Sequence, residues 1–191
     1  MKAAADRYCW NEDLGYFQRA ISADQQGNGQ ADSRPDTSVV GLWLFGMYPP
    51  DHPRITGTMQ KLRDLLWVNT PVGGMARYRH DQFHQVSQDI EHVPGNPWFI
   101  CTLWWARWYA ETVQRPEDLT RAWQLLDWAR SHALPSGIMS EQINPYTGEL
   151  LSVCPLTWSH AEYVNALHAC MQAKQRLTPA DREPERWKRS A

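Results

Sequence analysis

The sequence predicts an all-α fold, a partial two-layer toroid of about six helices set as alternating outer and inner hairpins. Three observations predict it. Apolar residues recur at helical spacing in six separate stretches, no good candidate for a strand pair lies between them, and the stretches alternate between one-sided and all-round apolar character. At 191 residues, with 42% apolar and 12% aromatic side chains, the chain is long enough for one packed domain.

Residues 3–22 are read as the first, outer helix, and residues 36–48, containing SVVGLWLFGMY, as an inner helix covered on both sides. In residues 54–68, Met59, Leu62 and Leu66 recur at three- and four-residue spacing with Lys61, Arg63 and Asp64 between them, so one side is wet. Residues 97–113, WFICTLWWARWYA within them, are apolar nearly all round and read as inner. Residues 116–132 return to one-sided character through Leu119, Trp123 and Leu126, and residues 155–173 are mostly uncharged. Pro97, Pro116 and Pro155 each suit a first helical turn, where Glu117 and Asp118 complement the helix dipole.

Three such hairpins make only an arc of a ring. The piece is therefore expected either to close differently or to be part of a larger chain, with residues 1–174 forming the arc and 175–191 a charged, disordered tail. Exposed inner helices imply docking onto the missing N-terminal half of the ring, or self-association. Residues 27–33, GNGQADS, read as a flexible connector.

Two connections are long, residues 69–96 and the stretch around Glu141, and connections of that length are usually functional when ordered. Each follows an outer helix and precedes an inner one, so both emerge at the same end of the arc. That places Arg77, Asp81, Trp98 and Glu141 within reach of one cavity mouth.

Composition excludes several functions. With 19 basic and 21 acidic residues the net charge is -2, which gives no field for nucleic acid or anionic membrane. Cys9, Cys101, Cys154 and Cys170 show no CxxC spacing and are expected to be mostly buried free thiols. No apolar signal region follows Met1 and no apolar run approaches the roughly 20 residues of a membrane span, so a cytoplasmic chain is expected. HDQFH, with His80 and His84 four apart, lacks the helix, glutamate and third ligand of a zinc site, and neither metal nor cofactor is expected. Ser159 and His160 are adjacent, which suits capping or packing rather than a triad. Of the 11 tryptophans, most belong in a core, and two or three are free to stack on a flat ligand such as a sugar face.

A loop carboxylate, an arginine on a second loop and aromatics beside both suit a glycosidase, because the arginine keeps the acid ionised and recognises sugar hydroxyls. The stretches GGMARYRHDQF, PGNPWFICTLWWA, SGIMSEQINPYTGELLSVCPLTWSHAEYV and DTSVVGLWLFGMYPPDHPRITGTMQKL resemble the second half of the catalytic domain of glycoside hydrolase family 15. The resemblance covers about residues 8–172. It implies an (α/α)6 toroid of twelve helices, of which these are the last six, and removal of glucose from α-glucans or α-glucosides with inversion. It also implies Glu141 as the general base, Arg77 and Trp98 as sugar contacts, and Tyr78 and Asp81 as support for the arginine. An inverting enzyme needs a second carboxyl about 6.5–9.5 Å from the first, and the family's general acid precedes the matched segments. The chain alone is accordingly expected to be inactive. A non-catalytic glucan-binding or regulatory module, and a trehalase-type member of the family, stand as alternatives.

Overall fold

A computed structural model describes residues 1–23 and 29–178. Among them are six α-helices: α1 (Lys2–Ala4), α2 (Gly41–Leu44), α3 (Pro53–Leu66), α4 (Phe99–Thr112), α5 (Thr120–His132) and α6 (Thr157–Leu177). Helix α3 starts where Pro53 fixes the first turn and the His52 ring accepts the Arg54 N–H at 3.2 Å. Its Ile55, Met59, Leu62 and Leu66 are each at most 1% exposed and form one stripe. Each such burial contributes about 1.5–3 kcal/mol. Helix α4 buries side chains all round, among them Phe99, Leu103, Trp105 and Ala110, so it runs through the middle of the packing.

The hydrogen bonds fix the directions of these helices. Leu66, at the end of α3, accepts the Ala76 N–H, and Met75 accepts the Trp98 N–H, so the end of α3 meets the start of α4. Trp128, near the end of α5, packs on Phe99 with ring centres 5.6 Å apart. Arg176, near the end of α6, donates to the carbonyls of Ala110 and Val113 at the end of α4. Helices α4 and α6 therefore run together, and α3 and α5 run against them. This is the outer and inner alternation expected of the arc.

The first segment departs from expectation. Residues 3–22 are not one helix: after α1 comes a π turn, Ala5–Cys9, then the hairpin of β1 (Trp10–Asn11) and β2 (Tyr16–Phe17), then β3 (Ala20–Ala23). Strand β3 pairs with β4 (Gly29–Asp32), so part of the expected connector is strand, while residues 24–28 lie outside the described residues. The Asn11 side chain accepts the Leu14 N–H at 2.9 Å, and this turn ends any helix there. A third hairpin joins β5 (Gln142–Ile143) to β6 (Leu150–Leu151), so strand pairs are present in an otherwise helical chain.

Smaller corrections concern the helices. Residues 37–40 form a 3-10 turn before the short α2, and Phe45 is 85% exposed, so this segment is not covered on both sides. In α5 the buried stripe is Ala122, Leu126 and Ala129, and Trp123 stands outside it at 36% exposure. Helix α6 begins at Thr157 rather than at Pro155 and reaches Leu177, beyond the expected start of the tail. The remainder of the tail, from residue 179, lies outside the described residues. Cys101 and Cys170 are buried free thiols, Cys9 is half-buried and Cys154 is exposed. No helix of the described residues is long and apolar enough to cross a membrane.

Asp6 fastens the N-terminus to this arc by accepting from Lys2 at 2.9 Å and from Tyr48 and Arg54 at 2.8 Å. The bonds from Lys2 and Tyr48, with Arg54 adding to them, hold its carboxyl down at about 2. A depressed acid stabilises the fold above its unfolded value, near 3.8, and loses that contribution as pH falls towards 2. Between pH 4 and pH 2 the melting temperature of the parent should fall further than that of Asp6→Asn, as thermal melts would record.

Candidate active site

The candidate residues sit on a ribbon of short extended segments laid across the starting ends of α4 and α6. Asp36 pairs with Tyr78, Ala76 with Pro97, and Trp98 with Gln142. Hairpin β5–β6 extends the ribbon. The two long connections predicted to share one end thus lie side by side, with the segments of Arg77, Trp98 and Glu141 adjacent. The Glu141 carbonyl accepts the Phe99 N–H at 3.4 Å, so the same loop covers the otherwise unpaired start of α4.

Glu141 is half-buried, and its Oε2 accepts the Ser152 hydroxyl at 2.5 Å. The Gln142 amide approaches the same oxygen at 3.5 Å, while Oε1 makes no hydrogen bond among the described residues. One oxygen is held and the other is open, the arrangement a carboxylate needs to take a proton from a bound molecule. Ser152 adopts φ +64°, a rare value for a residue other than glycine, where β6 ends. Sequence reading missed Ser152, because only the hairpin brings a residue eleven positions away onto the carboxylate.

Arg77 is oriented by two oxygens and three rings. Its Nε and Nη2 donate to the two carboxylate oxygens of Asp81 at 2.9 and 2.8 Å, a bidentate pair. The guanidinium carbon lies 4.4 Å from the Trp98 ring centre, 4.7 Å from Tyr78 and 5.6 Å from Phe83. Burial acts to lower the Arg77 pKa, and the Asp81 carboxylate outweighs it, so the group stays raised and charged. Asp81 is 1% exposed and both its oxygens are engaged, so it acts on Arg77 and presents nothing to a ligand. Nη1 of Arg77 is unpaired among the described residues, as is the buried Nε1 of Trp98. These two donors and the open oxygen of Glu141 are polar atoms without internal partners.

The surroundings explain how so irregular a region holds its shape. Asn96 donates to the His84 carbonyl at 2.7 Å and to the Gln142 side chain at 2.8 Å, which ties the arginine loop to the Glu141 loop. Ser159 donates to the Ser140 carbonyl at 2.7 Å, and the His160 ring accepts the Met139 N–H at 3.2 Å. The Ser159–His160 pair thus fastens the Glu141 loop to α6, which is packing rather than capping, since no side chain caps the start of that helix. His80 and His84 both lie in turns at positive φ rather than on a helix face, and no group of metal-holding side chains occurs among the described residues. Asp36 accepts from Arg19 at 3.2 Å. Asp36, whose segment pairs with Tyr78, and Asp81 are therefore both occupied by guanidinium groups.

Replacement of Ser152 by alanine removes the bond that holds Oε2. A hydrogen bond to a charged group contributes about 1.5–3 kcal/mol, so Ser152→Ala should lower the stability of the fold by up to about that amount. Denaturant unfolding of Ser152→Ala against Ser152→Thr checks this, with the threonine hydroxyl restoring most of the loss.

Known proteins resemble this chain in sequence and fold. The chain is 32% identical over 143 residues to a glucoamylase of Clostridium sp., across 72% of this chain and 20% of that protein. It is 27% identical over 144 residues to a trehalase of Mycobacterium tuberculosis, across 75% of this chain and 20% of that protein. It thus spans about a fifth of the length of these curated relatives. A bacterial glucoamylase crystallised with acarbose has the same fold over 93% of this chain and 30% of its own, with a TM-score of 0.68 and 24% identity. The arc is accordingly a portion of an (α/α)6 fold. Residues 2–132 and 124–168 match the family described as Glycosyl hydrolases family 15, and the chain belongs to that family.

Proposed function

We propose that this chain carries the general-base part of an inverting α-glucoside hydrolase site. Glu141 takes the proton of the attacking water through its open Oε1, and Arg77 and Trp98 hold the sugar from which glucose is released. The observation that carries this reading is the adjacency of the Arg77, Trp98 and Glu141 segments, with a free polar atom on each side chain. Tyr78 and Asp81 act through the arginine. Relatives named glucoamylase and trehalase support an α-linked glucoside as the substrate class, with trehalose as the second candidate.

The general acid is proposed to come from another polypeptide segment, because Asp36 and Asp81 are both taken up by arginines. On this reading the chain alone hydrolyses maltose, isomaltose, dextrin and trehalose slowly, because their leaving oxygens need a proton. It hydrolyses α-D-glucosyl fluoride readily, because fluoride leaves without one. Incubation with each substrate, following glucose and fluoride, tests it. Inertness towards the fluoride as well would favour a glucan-binding or regulatory module.

The partner surface is proposed to be the open side of α6, where Trp158, Val164 and Met171 are 65%, 63% and 51% exposed. Val164 and Met171, seven residues apart, share one face and Trp158 stands about 120° round the helix from it, so together they form a broad apolar surface of the kind that favours association. The remainder of a closed toroid would cover it, and in its place a second copy. Sedimentation of the chain should show self-association that Trp158→Ser with Met171→Ser reduces, and a monomeric parent would contradict it.

A further inference from the structure

A large open cavity lies away from Glu141. It has a volume of about 1090 Å3 and runs between outer helices α3 and α5, with α4 as its floor; none of Arg77, Trp98 or Glu141 lines it. Trp67 and Tyr109 supply half-buried aromatic surface on its walls, and Trp105 lies beneath. Around them stand Gln60 from α3 and Arg121 and Gln124 from α5. None of these three side chains, nor the Trp67 indole N–H, nor the Tyr109 hydroxyl, has a hydrogen-bond partner among the described residues. Burial pushes the Tyr109 hydroxyl up, and the charges of Arg63 and Arg121 draw it down.

The lining decides the class of ligand. The charges of Arg63 and Arg121 stand against Asp51, Asp64 and Asp118 along the same cavity, which leaves the lining mixed in sign and disfavours an anion. Aromatic surface edged by planar, unpaired amides and guanidinium groups suits a neutral ligand with apolar ring faces and many hydroxyls. The volume of about 1090 Å3 lies just above the roughly 300–1000 Å3 of small-molecule sites, and the length of a helix pair admits several ring units. Resting on the α-glucan reading of the chain, we propose that this cavity is a second, non-catalytic site that holds an α-linked glucan strand. Such a site would keep a long substrate attached while its end is processed at Glu141, with the gain in effective concentration that two linked sites provide.

Titration of the chain with maltoheptaose, observed through the indole N–H resonances of Trp67 and Trp98, separates the two sites. Saturable shifts at Trp67 should persist in Arg77→Ala. The double variant Gln60→Ala with Gln124→Ala, both exposed and unbonded, should weaken the affinity at Trp67 by at least about tenfold and leave Trp98 unchanged. Loss of the Trp67 response in Arg77→Ala would overturn the second site, as would indifference to the double variant. An equal response to a β-linked heptasaccharide would overturn the α-glucan assignment. A response at Trp67 with none at Trp98 would overturn the catalytic reading and leave this site standing, and silence at both would overturn the two together.

Discussion

Glu141→Gln should lower fluoride release from α-D-glucosyl fluoride by about 100- to 10000-fold, the range of a general base, while KM stays within about threefold. The substitution keeps the size of the side chain, and its amide oxygen still accepts from Ser152, so the loop is not disturbed. What disappears is the acceptor for the proton of water. In the proposed site binding rests on Arg77 and Trp98, which the substitution leaves in place, so it should persist. Fluoride is the leaving group of choice because it isolates the base from the acid. Equal rates for variant and parent would remove Glu141 from the chemistry.

Gly74→Ala should destabilise the fold by about 2–4 kcal/mol, the sum expected from a strained backbone and an overfilled contact. Gly74 has φ +90°, and an added Cβ would stand 2.5 Å from Cζ2 of Trp128 and 2.9 Å from Cβ of Pro97. Neither neighbour has room to yield. The Trp128 indole donates to the Val72 carbonyl at 2.6 Å and its ring packs on His132 with centres 4.9 Å apart, while Pro97 is paired to Ala76 within the ribbon. Gly15→Ala is the control, since Gly15 has a similar φ of +71° with open space around it. It should cost only about 1–2 kcal/mol. Denaturant unfolding of the two variants separates contact from strain, and Gly74→Ala should also weaken sugar binding by displacing Pro97 and with it Trp98.

The parts of the fold that were legible in the sequence are those whose burial repeats. The stripe of α3 and the all-round burial of α4 follow directly from residue spacing, because each helix packs as a regular cylinder. Residues 10–23 were not legible as strands. Each strand there is two to four residues long, too short to establish a period, and the signal that a helix ends was the turn at Asn11. Trp123 matched the helical period of α5 yet faces outward, because the smaller Ala122 and Ala129 permit close approach to α4 and α6.

In the site, the order of outer and inner helices was enough to place Arg77, Trp98 and Glu141 at one end. The contacts that orient them were beyond sequence reading. Ser152 reaches Glu141 across a hairpin, and Asn96 reaches Gln142 from 46 positions away. Phe83, whose ring flanks Arg77 and Trp98 and is 45% exposed, sits in a turn that carries no period at all.

The central claim is that Glu141 activates water rather than attacking the sugar itself. The anomeric configuration of the first glucose released from α-D-glucosyl fluoride tests it directly, read by proton NMR before the anomers equilibrate. Water delivered to the face opposite the departing fluoride gives β-glucose, the result predicted here. Release of α-glucose would require a covalent intermediate on a carboxylate and would contradict the account.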